Sequence, residues 1–335
     1  MSEKNLDLVV VGAGPCGIAA GAAARAAGLR TVLFDRGCVT QSLIGYPYYM
    51  TFFSTAEKLE IAGVPFTIPD SKPTRRDALA YFRRVVRQRE LDVRQYEEVT
   101  SVTGVEGDIT VHTRCLSGVE RAVRTRAVAI ATGGFSEPNW LRVPGEDLPK
   151  VLHYYREPYP FYDQDVLVVG GRNSAVESAL ELHRNGARVT MVHFEDTLDP
   201  GVKAWVIPDI ANRLENGEIQ MYYRHRVAEV KPDSVVLRAE HTRRTVELPN
   251  QWVLAMTGWR ADQQLLRSLG VEIDDTTGIP TYDPSTMQTN VPGVFVAGVL
   301  AAGNDANKIF IENGRDHGAL IARALVDSRA HSSSR

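Results

Sequence analysis

The sequence predicts an α/β protein with parallel β-sheets, and two matching segments carry this prediction. In the first segment, the apolar run at residues 8–11 leads into the turn Gly12-Ala13-Gly14-Pro15-Cys16-Gly17. In the second, the apolar run at residues 166–169 leads into the turn Gly170-Gly171-Arg172-Asn173-Ser174-Ala175. A short apolar run is typical of a strand buried in a parallel sheet, and a glycine-rich turn after it typically leads into a helix. The 335 residues suffice for about two domains at ~150 residues each.

The first segment has every part of a dinucleotide-binding unit. Residues 18–27 are rich in Ala and Gly and predict a helix that packs closely on the sheet. Residues 31–34 predict the next strand, and Asp35 ends it 18 residues after Gly17. An acid that binds a ribose hydroxyl is expected about 20 residues after the turn. We therefore expect the turn to hold a pyrophosphate on the helix N-terminus. For Asp35 the alternative is a solvated acid at a strand end.

The second segment repeats this order. Residues 174–184 predict a helix, and residues 188–192 predict the strand after it. Ala175 stands where the first turn has Gly17, and its small side chain still permits close helix packing. Arg172 stands where a glycine is usual, so its side chain either contacts a phosphate or weakens the close backbone approach. Two dinucleotides in one chain are typically FAD and NAD(P)H, placed so that a hydride passes between them.

The segments between these units predict a functional loop and a small set of strands. Residues 38–70 lack periodicity and are rich in aromatic residues and proline, which in a segment this long indicates a functional loop. Residues 74–90 predict a helix with a basic outer face. Residues 91–131 predict short strands that end at Ala131-Thr132-Gly133-Gly134. Prolines crowd the stretch that follows, which predicts a domain boundary near residues 150–160.

The C-terminal third predicts two more strands, each ending in a glycine, and a closing helix. Residues 253–258 end in Thr257-Gly258, and residues 294–298 end in Ala297-Gly298. The last helix is expected over residues 308–326. The polar, Ser-rich residues 328–335 predict a disordered tail.

Composition excludes several other classes of protein. The net charge of −3 and the absence of a Lys/Arg block argue against a nucleic-acid partner. No apolar stretch reaches the ~18 residues of a membrane span, and no separate signal segment precedes the first strand, so we expect a cytoplasmic protein. The three cysteines, Cys16, Cys38 and Cys115, form no Cys-x-x-Cys motif. They exclude a disulfide scaffold, a dithiol redox motif and a metal site built from cysteines.

From about residue 6 to residue 326 the chain resembles the thioredoxin-reductase-like flavoproteins. The shared motifs are the two glycine turns, Ala131-Thr132-Gly133, Thr257-Gly258, and residues 289–298. Within that group the chain is most similar to the bacillithiol disulfide reductases. The longer strings that carry this similarity are Gly14-Pro15-Cys16-Gly17, Thr51-Phe52-Phe53-Ser54, Glu57-Lys58-Leu59-Glu60, and residues 143–151 and 304–314.

The resemblance implies two Rossmann-like, three-layer ββα nucleotide-binding domains, with the NAD(P)H domain inserted into the FAD domain. The FAD domain would cover residues 1–152 and 252–330, and the NAD(P)H domain residues 153–251. The implied activity is the NADPH-dependent reduction of bacillithiol disulfide, a small-molecule disulfide, with a bacilliredoxin-like protein as a further partner. Members lack the dithiol of thioredoxin reductase, as this chain does. The family also implies a cytoplasmic homodimer or homotetramer, and no metal.

Site residues follow from the turns and from the resemblance together. Lys308 and Ile309, at the start of the expected last helix, are placed beside the pyrimidine end of the flavin, where a positive helix terminus stabilises the reduced ring. The predicted FAD-binding residues are Gly12, Gly14, Pro15, Cys16, Gly17, Asp35, Arg36, Thr132, Gly133, Gly298, Lys308 and Ile309. The predicted NAD(P)H-binding residues are Gly170, Gly171, Arg172, Asn173, Ser174, Ala175, His193, Thr257 and Gly258.

His193 is the expected selector of the nicotinamide coenzyme. Aligning the second strands of the two units places His193 where Asp35 stands in the first. An acid there favours the 2′-hydroxyl of NAD, whereas a basic group suits the 2′-phosphate of NADP. The wider group often follows this His with two Arg, but here Phe194 and Glu195 follow. We predict NADPH, with NADH as the alternative and with Arg172 or Lys203 as sources of the missing charge.

Cys16 is the candidate catalytic residue. The resemblance makes it the redox thiol, and its place at a helix N-terminus can lower the pKa of a thiol. A thiolate there would attack a disulfide and leave a mixed disulfide. The alternative is that Cys16 is only a small side chain beside FAD.

Two other functions fit the same scaffold. An NADP–ferredoxin or flavodoxin reductase needs no protein cysteine and has a protein partner. A flavin redox sensor would turn over slowly with every acceptor.

Overall fold

The computed structural model describes residues 6–305 and 308–332, with side chains up to residue 329. The chain forms two compact units. The first comprises Met1–Ile44, Tyr49–Glu137 and Trp259–Arg335, and the second comprises Gly45–Tyr48 and Pro138–Gly258. The second unit is therefore inserted between two parts of the first along the chain, as the family resemblance implied.

The first unit begins with the predicted strand–turn–helix–strand order. Its first elements are β1 (Leu6–Val11), α1 (Pro15–Ala26), β2 (Thr31–Asp35) and the short α2 (Gln41–Ile44). After a loop with one 3₁₀ turn come α3 (Arg75–Gln88), β3 (Asp92–Gln95), β4 (Glu97–Val105), β5 (Asp108–Cys115), β6 (Glu120–Ile130) and the two-residue β7 (Glu137–Pro138). Thr74 caps α3 in a capping box with Asp77, which explains why this helix starts where the sequence predicts.

The seven-stranded sheet of this unit places the first turn at its carboxyl edge. The strand order is β3-β2-β1-β6-β5-β4, with β2, β1 and the carboxyl half of β6 parallel. β1 and β2 are almost fully buried because helices and the β4–β6 ribbon cover them, as expected for parallel strands. α1 packs against the last helix of the unit at Gly318, where an added Cβ would lie 2.5 Å from Ala20 Cα. Such close packing explains the Ala- and Gly-rich composition of α1.

The second unit contains a complete three-layer arrangement. Its elements are β8 (Val151–Leu152), β9 (Asp165–Val169), α4 (Asn173–Arg184), β10 (Arg188–His193), α5 (Ile207–Glu215), β11 (Gln220–Tyr223), β12 (His225–Val230), β13 (Ser234–Ala239), β14 (Thr245–Pro249) and β15 (Trp252–Ala255). A five-stranded parallel sheet has the order β11-β10-β9-β15-β8. One face packs on α4 and α5, and the other packs on the antiparallel β12-β13-β14 sheet through residues such as Leu167, Val192 and Val227.

The chain then returns to the first unit. This segment contains β16 (Trp259–Arg260), α6 (Gln264–Ser268), β17 (Val294–Val296), α7 (Ile311–Gly314) and α8 (His317–Ser332). β17 adds to the carboxyl half of β6, in parallel. It therefore brings Gly298, which follows it, to the edge where the first turn lies.

The boundaries of the second unit differ from the predicted 153–251. β8 and β15 pair with the parallel sheet of the second unit, so residues 138–152 and 252–258 belong to that unit. Thr257 and Gly258 therefore lie in the same unit as the second turn. Prolines marked the change of composition, but strand pairing decides which unit a segment joins.

The end of the chain also differs from the prediction. Instead of one helix over 308–326, the one-turn α7 precedes α8, and α8 continues to Ser332. Residues 328–332 of the predicted tail are thus helical, and residues 333–335 lie outside the described residues. The longer helix is stabilised by Arg329, which pairs with the buried carboxylate of Asp7 at 3.2 Å.

Candidate active site and coenzyme site

The first glycine turn is held against the strand beside it. Gly12 has φ +109°, and a Cβ added there would lie 2.4 Å from the carbonyl oxygen of Ala131, which follows β6. A Cβ at Gly17 would lie 2.0 Å from the carbonyl oxygen of Gly12. Both positions therefore require glycine, for backbone conformation at Gly12 and for close approach at both. Ala131, Thr132 and Gly133 turn away beside the glycine turn, as predicted.

Asp35 lies beside the turn and accepts from two backbone amides, one in the turn and one just after β2. The N–H of Ala13 donates to Asp35 Oδ2 at 2.7 Å, and the N–H of Gly37 donates to Oδ1 at 2.8 Å. Each carboxylate oxygen keeps a second lone pair for a ligand hydroxyl. Asp35 thus shapes the turn as well as standing at the predicted ribose position. Arg36 beside it is exposed.

The space over the turn fits a pyrophosphate. A Cβ added at Gly14 would meet no atom within 4 Å, although the glycines on either side are crowded. Gly14 is the N-cap of α1, Pro15 follows it, and no side chain caps the first-turn amides in the described part of the chain. An anion bound at this helix terminus would satisfy these amides. The donors and the space therefore fit the phosphates of a dinucleotide.

Cys16 lies in the first turn of α1 and packs against two glycines from the end of the chain. A Cβ added at Gly298 would lie 3.0 Å from Cys16 Sγ, and one at Gly314 would lie 2.9 Å from it. Ile309 lies at the same place, since its Cγ2 is 3.1 Å from the Cβ position built on Gly314. Three chain segments distant in sequence therefore meet at the Cys16 thiol.

Burial raises the pKa of the Cys16 thiol to about 12. The expectation of a lowered pKa is therefore wrong for this protein, because loss of solvent outweighs the favourable field of the helix terminus. At neutral pH the group is a thiol. Cys38 and Cys115 are free thiols, and burial together with the Asp35 charge raises the pKa of Cys38.

His317 supports the same site, and no motif in the sequence pointed to it. The N–H of Gly298 donates to His317 Nδ1 at 3.1 Å, so the ring carries its proton on Nε2. Burial lowers the pKa of His317, which keeps the ring neutral and able to accept this bond at pH 7. The spacing of residues along the chain does not reveal this contact, because Gly298 and His317 are 19 residues apart and lie in different secondary-structure elements.

Lys308 and Ile309 precede the one-turn α7, so no long helix begins at these residues. The predicted effect of a positive helix terminus is therefore wrong here, because a single turn has little dipole. Asn313 folds this segment instead: its Oδ1 accepts from the N–H of Phe310, and its Nδ2 donates to the carbonyl of Lys308. Ile309 reaches the Cys16 contact, and Lys308 is exposed.

The predicted functional loop is bound to this segment. The Ser54 hydroxyl donates to the Glu312 carboxylate, and the Phe53 and Phe310 rings meet edge to face at 5.6 Å. Arg315 donates to the carbonyl of Glu60 at 2.6 Å. Residues 51–60 and 308–315 thus pack together beside the turn that holds Cys16.

The second glycine turn is built in the same way as the first. Gly170 has φ +136°, and a Cβ added there would lie 2.5 Å from the carbonyl oxygen of Met256, which follows β15. Thr257 and Gly258 come next, and both bind Asn139: Asn139 Nδ2 donates to the Thr257 carbonyl, and Asn139 N donates to that of Gly258. The first-turn amides of α4 also have no side-chain cap among the described residues, so this turn likewise fits a pyrophosphate.

His193 lies directly against the second turn. A Cβ added at Gly171 would lie 2.6 Å from the His193 ring, so only glycine fits beside it. The side chain is buried, and its Nδ1 has no hydrogen-bond partner among the described residues. Burial lowers the pKa of His193, so the ring is neutral at pH 7. His193 therefore occupies the predicted position without supplying a positive charge.

The two basic residues suggested as replacements are both paired with acids. Arg172 Nε binds Asp199 Oδ2 at 2.9 Å, and Lys203 Nζ binds Glu177 Oε1 at 2.6 Å. Asn173 ties the same loop together, because its side chain binds the carbonyl of Gly201 and the N–H of Lys203. Ser174 and Ala175 contribute backbone to α4, with Ala175 fully buried.

Among the described residues, no group of three or more His, Cys, Asp or Glu side chains is arranged to hold a metal ion. Within the same residues, no helix is long and apolar enough to cross a membrane.

Comparison with known proteins matches residues 9–298 to the family model described as pyridine nucleotide-disulphide oxidoreductase. The bacilliredoxin reductase Bdr of Bacillus subtilis is 42% identical over 96% of this chain and 98% of its own length. The bacillithiol disulfide reductase Bdr (YpdA) of Bacillus cereus has a TM-score of 0.94 at 38% identity, covering 97% of this chain and 100% of that one. Its Staphylococcus aureus counterpart has a TM-score of 0.91 at 36% identity, covering 97% and 99%.

Proposed function

Because this chain belongs to the pyridine nucleotide-disulphide oxidoreductase family, we propose that it is an FAD-dependent, NADPH-oxidising reductase of bacillithiol disulfide. Family membership makes it an oxidoreductase that uses a flavin and NAD(P)H. One observation carries the proposal furthest: a single chain holds two turns of the same construction, and the first also holds a thiol packed against Gly298 and Gly314. The relatives named bacillithiol disulfide reductases support the choice of substrate.

We assign FAD to the first unit and NADPH to the second. Gly12, Gly14 and Gly17 would hold the FAD pyrophosphate, with Asp35 at the ribose. Gly170, Gly171 and the first turn of α4 would hold the pyrophosphate of NADPH. When bound, FAD would accept a hydride from NADPH and pass two electrons to the disulfide. The residues of the chain would bind and orient the two dinucleotides.

Cys16 is the proposed redox thiol. Its sulfur would attack one sulfur of the disulfide, which breaks the S–S bond, forms a mixed disulfide and releases the other half as a thiol once protonated. Two electrons from NADPH, with its hydrogen and one solvent proton, would then restore Cys16 and release the second thiol. Because the pKa of Cys16 is about 12, its proton must leave as the new bond forms.

The partner, assembly and location follow the same family. A bacilliredoxin-like protein would form the disulfide substrate or receive the reducing equivalents, as the name of the Bacillus subtilis relative suggests. The protein would act in the cytoplasm as a homodimer or homotetramer.

A stopped-flow experiment tests the function and the role of Cys16 together. NADPH-reduced holoenzyme is mixed with bacillithiol disulfide, a flavodoxin or oxygen, and the return of flavin absorbance is followed. We expect the disulfide to reoxidise the wild type fastest. Cys16→Ser should slow that step by more than about tenfold, which is ~1.4 kcal/mol in the barrier, and leave reduction by NADPH unchanged. Because the thiolate fraction of a group with a pKa of about 12 rises with pH, the wild-type rate should rise from pH 7 to 9.

Cys115→Ser is the matched control, since it removes a free thiol from β5 in the same unit. A variant Cys16→Ser that keeps wild-type disulfide turnover would disprove the thiol role alone. Fast reoxidation by flavodoxin without disulfide turnover would favour the flavodoxin reductase. Slow reoxidation by every acceptor would favour a redox sensor.

A further inference from the structure

The end of β10 lacks the adjacent arginines that a coenzyme phosphate would need. His193 is neutral there, and Phe194 and Glu195 follow it. We infer that Arg226, on β12, supplies the missing charge and determines specificity for the 2′-phosphate of the adenosine ribose. The inference rests on the proposed use of NADPH and names the residue that would select it.

Arg226 reaches the end of β10 across an aromatic ring. Its guanidinium carbon lies 4.2 Å from the centroid of the Phe194 ring. Phe194 is 43% exposed, so the ring and the guanidinium form a surface open to a ligand. A guanidinium stacked on an aromatic face keeps its plane and its terminal amino groups directed outward, which suits bidentate binding of phosphate.

Core packing determines this position of Arg226. Val227, the next residue on β12, packs in the same buried cluster as Val192, the residue before His193. Successive side chains of a strand point to opposite faces. Burying Val227 against the parallel sheet therefore turns Arg226 away from that core, and the cation–π contact shows that it extends over Phe194.

The acids around the site hold its arginines by one nitrogen each. Arg226 Nε lies 2.8 Å from Glu240 Oε1, and Arg172 Nε lies 2.9 Å from Asp199 Oδ2. Neither arginine has a second acidic partner among the described residues. Each carboxylate therefore fixes the stem of its arginine, and the terminal amino groups remain for a phosphate.

Charges of both signs converge on His193. Arg226, Arg172, Glu195 and Asp199 all act on its titration, so all four lie near the ring. Asp199 N also donates to the carbonyl of Gly171, which places this loop on the turn. Of the two acids, Asp199 is paired with Arg172, whereas no arginine is described on the Glu195 carboxylate. Glu195 is therefore the charge that would repel a phosphate here. Arg226 is the cation that offsets it, which makes its removal costly for a 2′-phosphate and not for a 2′-hydroxyl.

Binding of two small probes tests the inference directly. 2′,5′-ADP and 5′-AMP differ only in the 2′-phosphate, and each is titrated into holoenzyme by calorimetry. We expect Arg226→Ala to weaken 2′,5′-ADP by about tenfold or more, the scale of a lost charge-assisted bond, and to leave 5′-AMP unchanged. The ratio of kcat/KM for NADPH to that for NADH should fall by the same factor. Arg226→Lys should recover part of the loss, since lysine keeps the positive charge but cannot form the bidentate hydrogen bonds of a guanidinium.

Arg188→Ala is the control. It removes the same charge from the other end of β10, where Arg188 pairs with Asp163 and Asp165. If the ratio of the affinities for 2′,5′-ADP and 5′-AMP is unchanged in a folded Arg226→Ala protein, the inference is overturned. A wild type that binds the two probes equally would also overturn it, although an NADH-dependent reductase would then still stand. A wild type that reoxidises only with flavodoxin would instead refute the proposed function and leave the role of Arg226 intact.

Discussion

The two glycine turns share one backbone arrangement and differ in the residues that surround it. In each, the first glycine packs against the carbonyl oxygen of the strand beside it, Ala131 in one unit and Met256 in the other. The third position differs: a Cβ at Gly17 would lie 2.0 Å from a carbonyl oxygen, whereas Ala175 is buried with its Cβ in place. Helix α1 therefore approaches its turn more closely than α4 approaches its own.

The difference continues in the residues that hold each turn. Asp35 accepts from the Ala13 amide in the first turn and from the Gly37 amide just after β2, and Gly14 leaves the space above the turn open. The second turn is held by side chains, the His193 ring against Gly171 and Asp199 on Arg172. The first turn is thus a backbone cradle for any pyrophosphate, whereas charged side chains around the second can select among coenzymes.

The largest expected effect comes from placing the alanine of the second turn in the first. Gly17→Ala should destabilise the first unit by ~3 kcal/mol or more, because the new Cβ overlaps a carbonyl oxygen that cannot move freely. Thermal unfolding and bound flavin after desalting measure the effect. Gly14→Ala is the control: its Cβ meets no atom, so the unit should stay folded and lose flavin only. Equal melting temperatures for the two variants would contradict the conclusion that α1 approaches its turn more closely than α4 does.

A smaller effect is expected at the acid beside the first turn. Asp35→Asn turns one acceptor into a donor that faces an amide N–H, which should cost about 1–3 kcal/mol and weaken flavin binding. NADP⁺ binding, measured by calorimetry, should not change, since the second turn has no such acid. If flavin binds as tightly as in the wild type, Asp35 shapes the turn without contributing to flavin binding.

The smallest effect is expected at His317. Burial lowers its pKa in the folded state below the ordinary 6.5, so the unfolded state binds the proton more tightly. The contribution of His317 to stability is therefore present above pH 6.5 and lost as the pH falls below it. His317→Gln, whose amide can still accept from Gly298, should make the free energy of unfolding fall less between pH 7 and pH 5. Denaturant unfolding at both pH values measures this, and an unchanged slope would show that His317 does not titrate in folding.

Local sequence predicted most of the fold and the backbone of both turns. The strands and helices that flank the two turns, the turn glycines and the helix capped by Thr74 depend on residues close in the chain and were found where expected, whereas α5 and β11–β14 were not predicted. The inserted unit was longer than predicted because β8 and β15 pair with a sheet whose other strands lie far along the sequence. The predicted helix at residues 308–326 is two helices, and the first begins only at Ile311 because Asn313 binds the backbone of Lys308 and Phe310.

The sequence by itself determined that two strand–turn–helix units exist, since periodicity and glycine spacing are local properties. Only the tertiary structure decided the chemistry at each turn. It buries Cys16 against Gly298 and Gly314 and so raises its pKa, and it brings His317 to the amide of Gly298. It also places Arg226 over Phe194 from another sheet. Solvation and charge depend on neighbours in space, and no spacing along the chain records those neighbours.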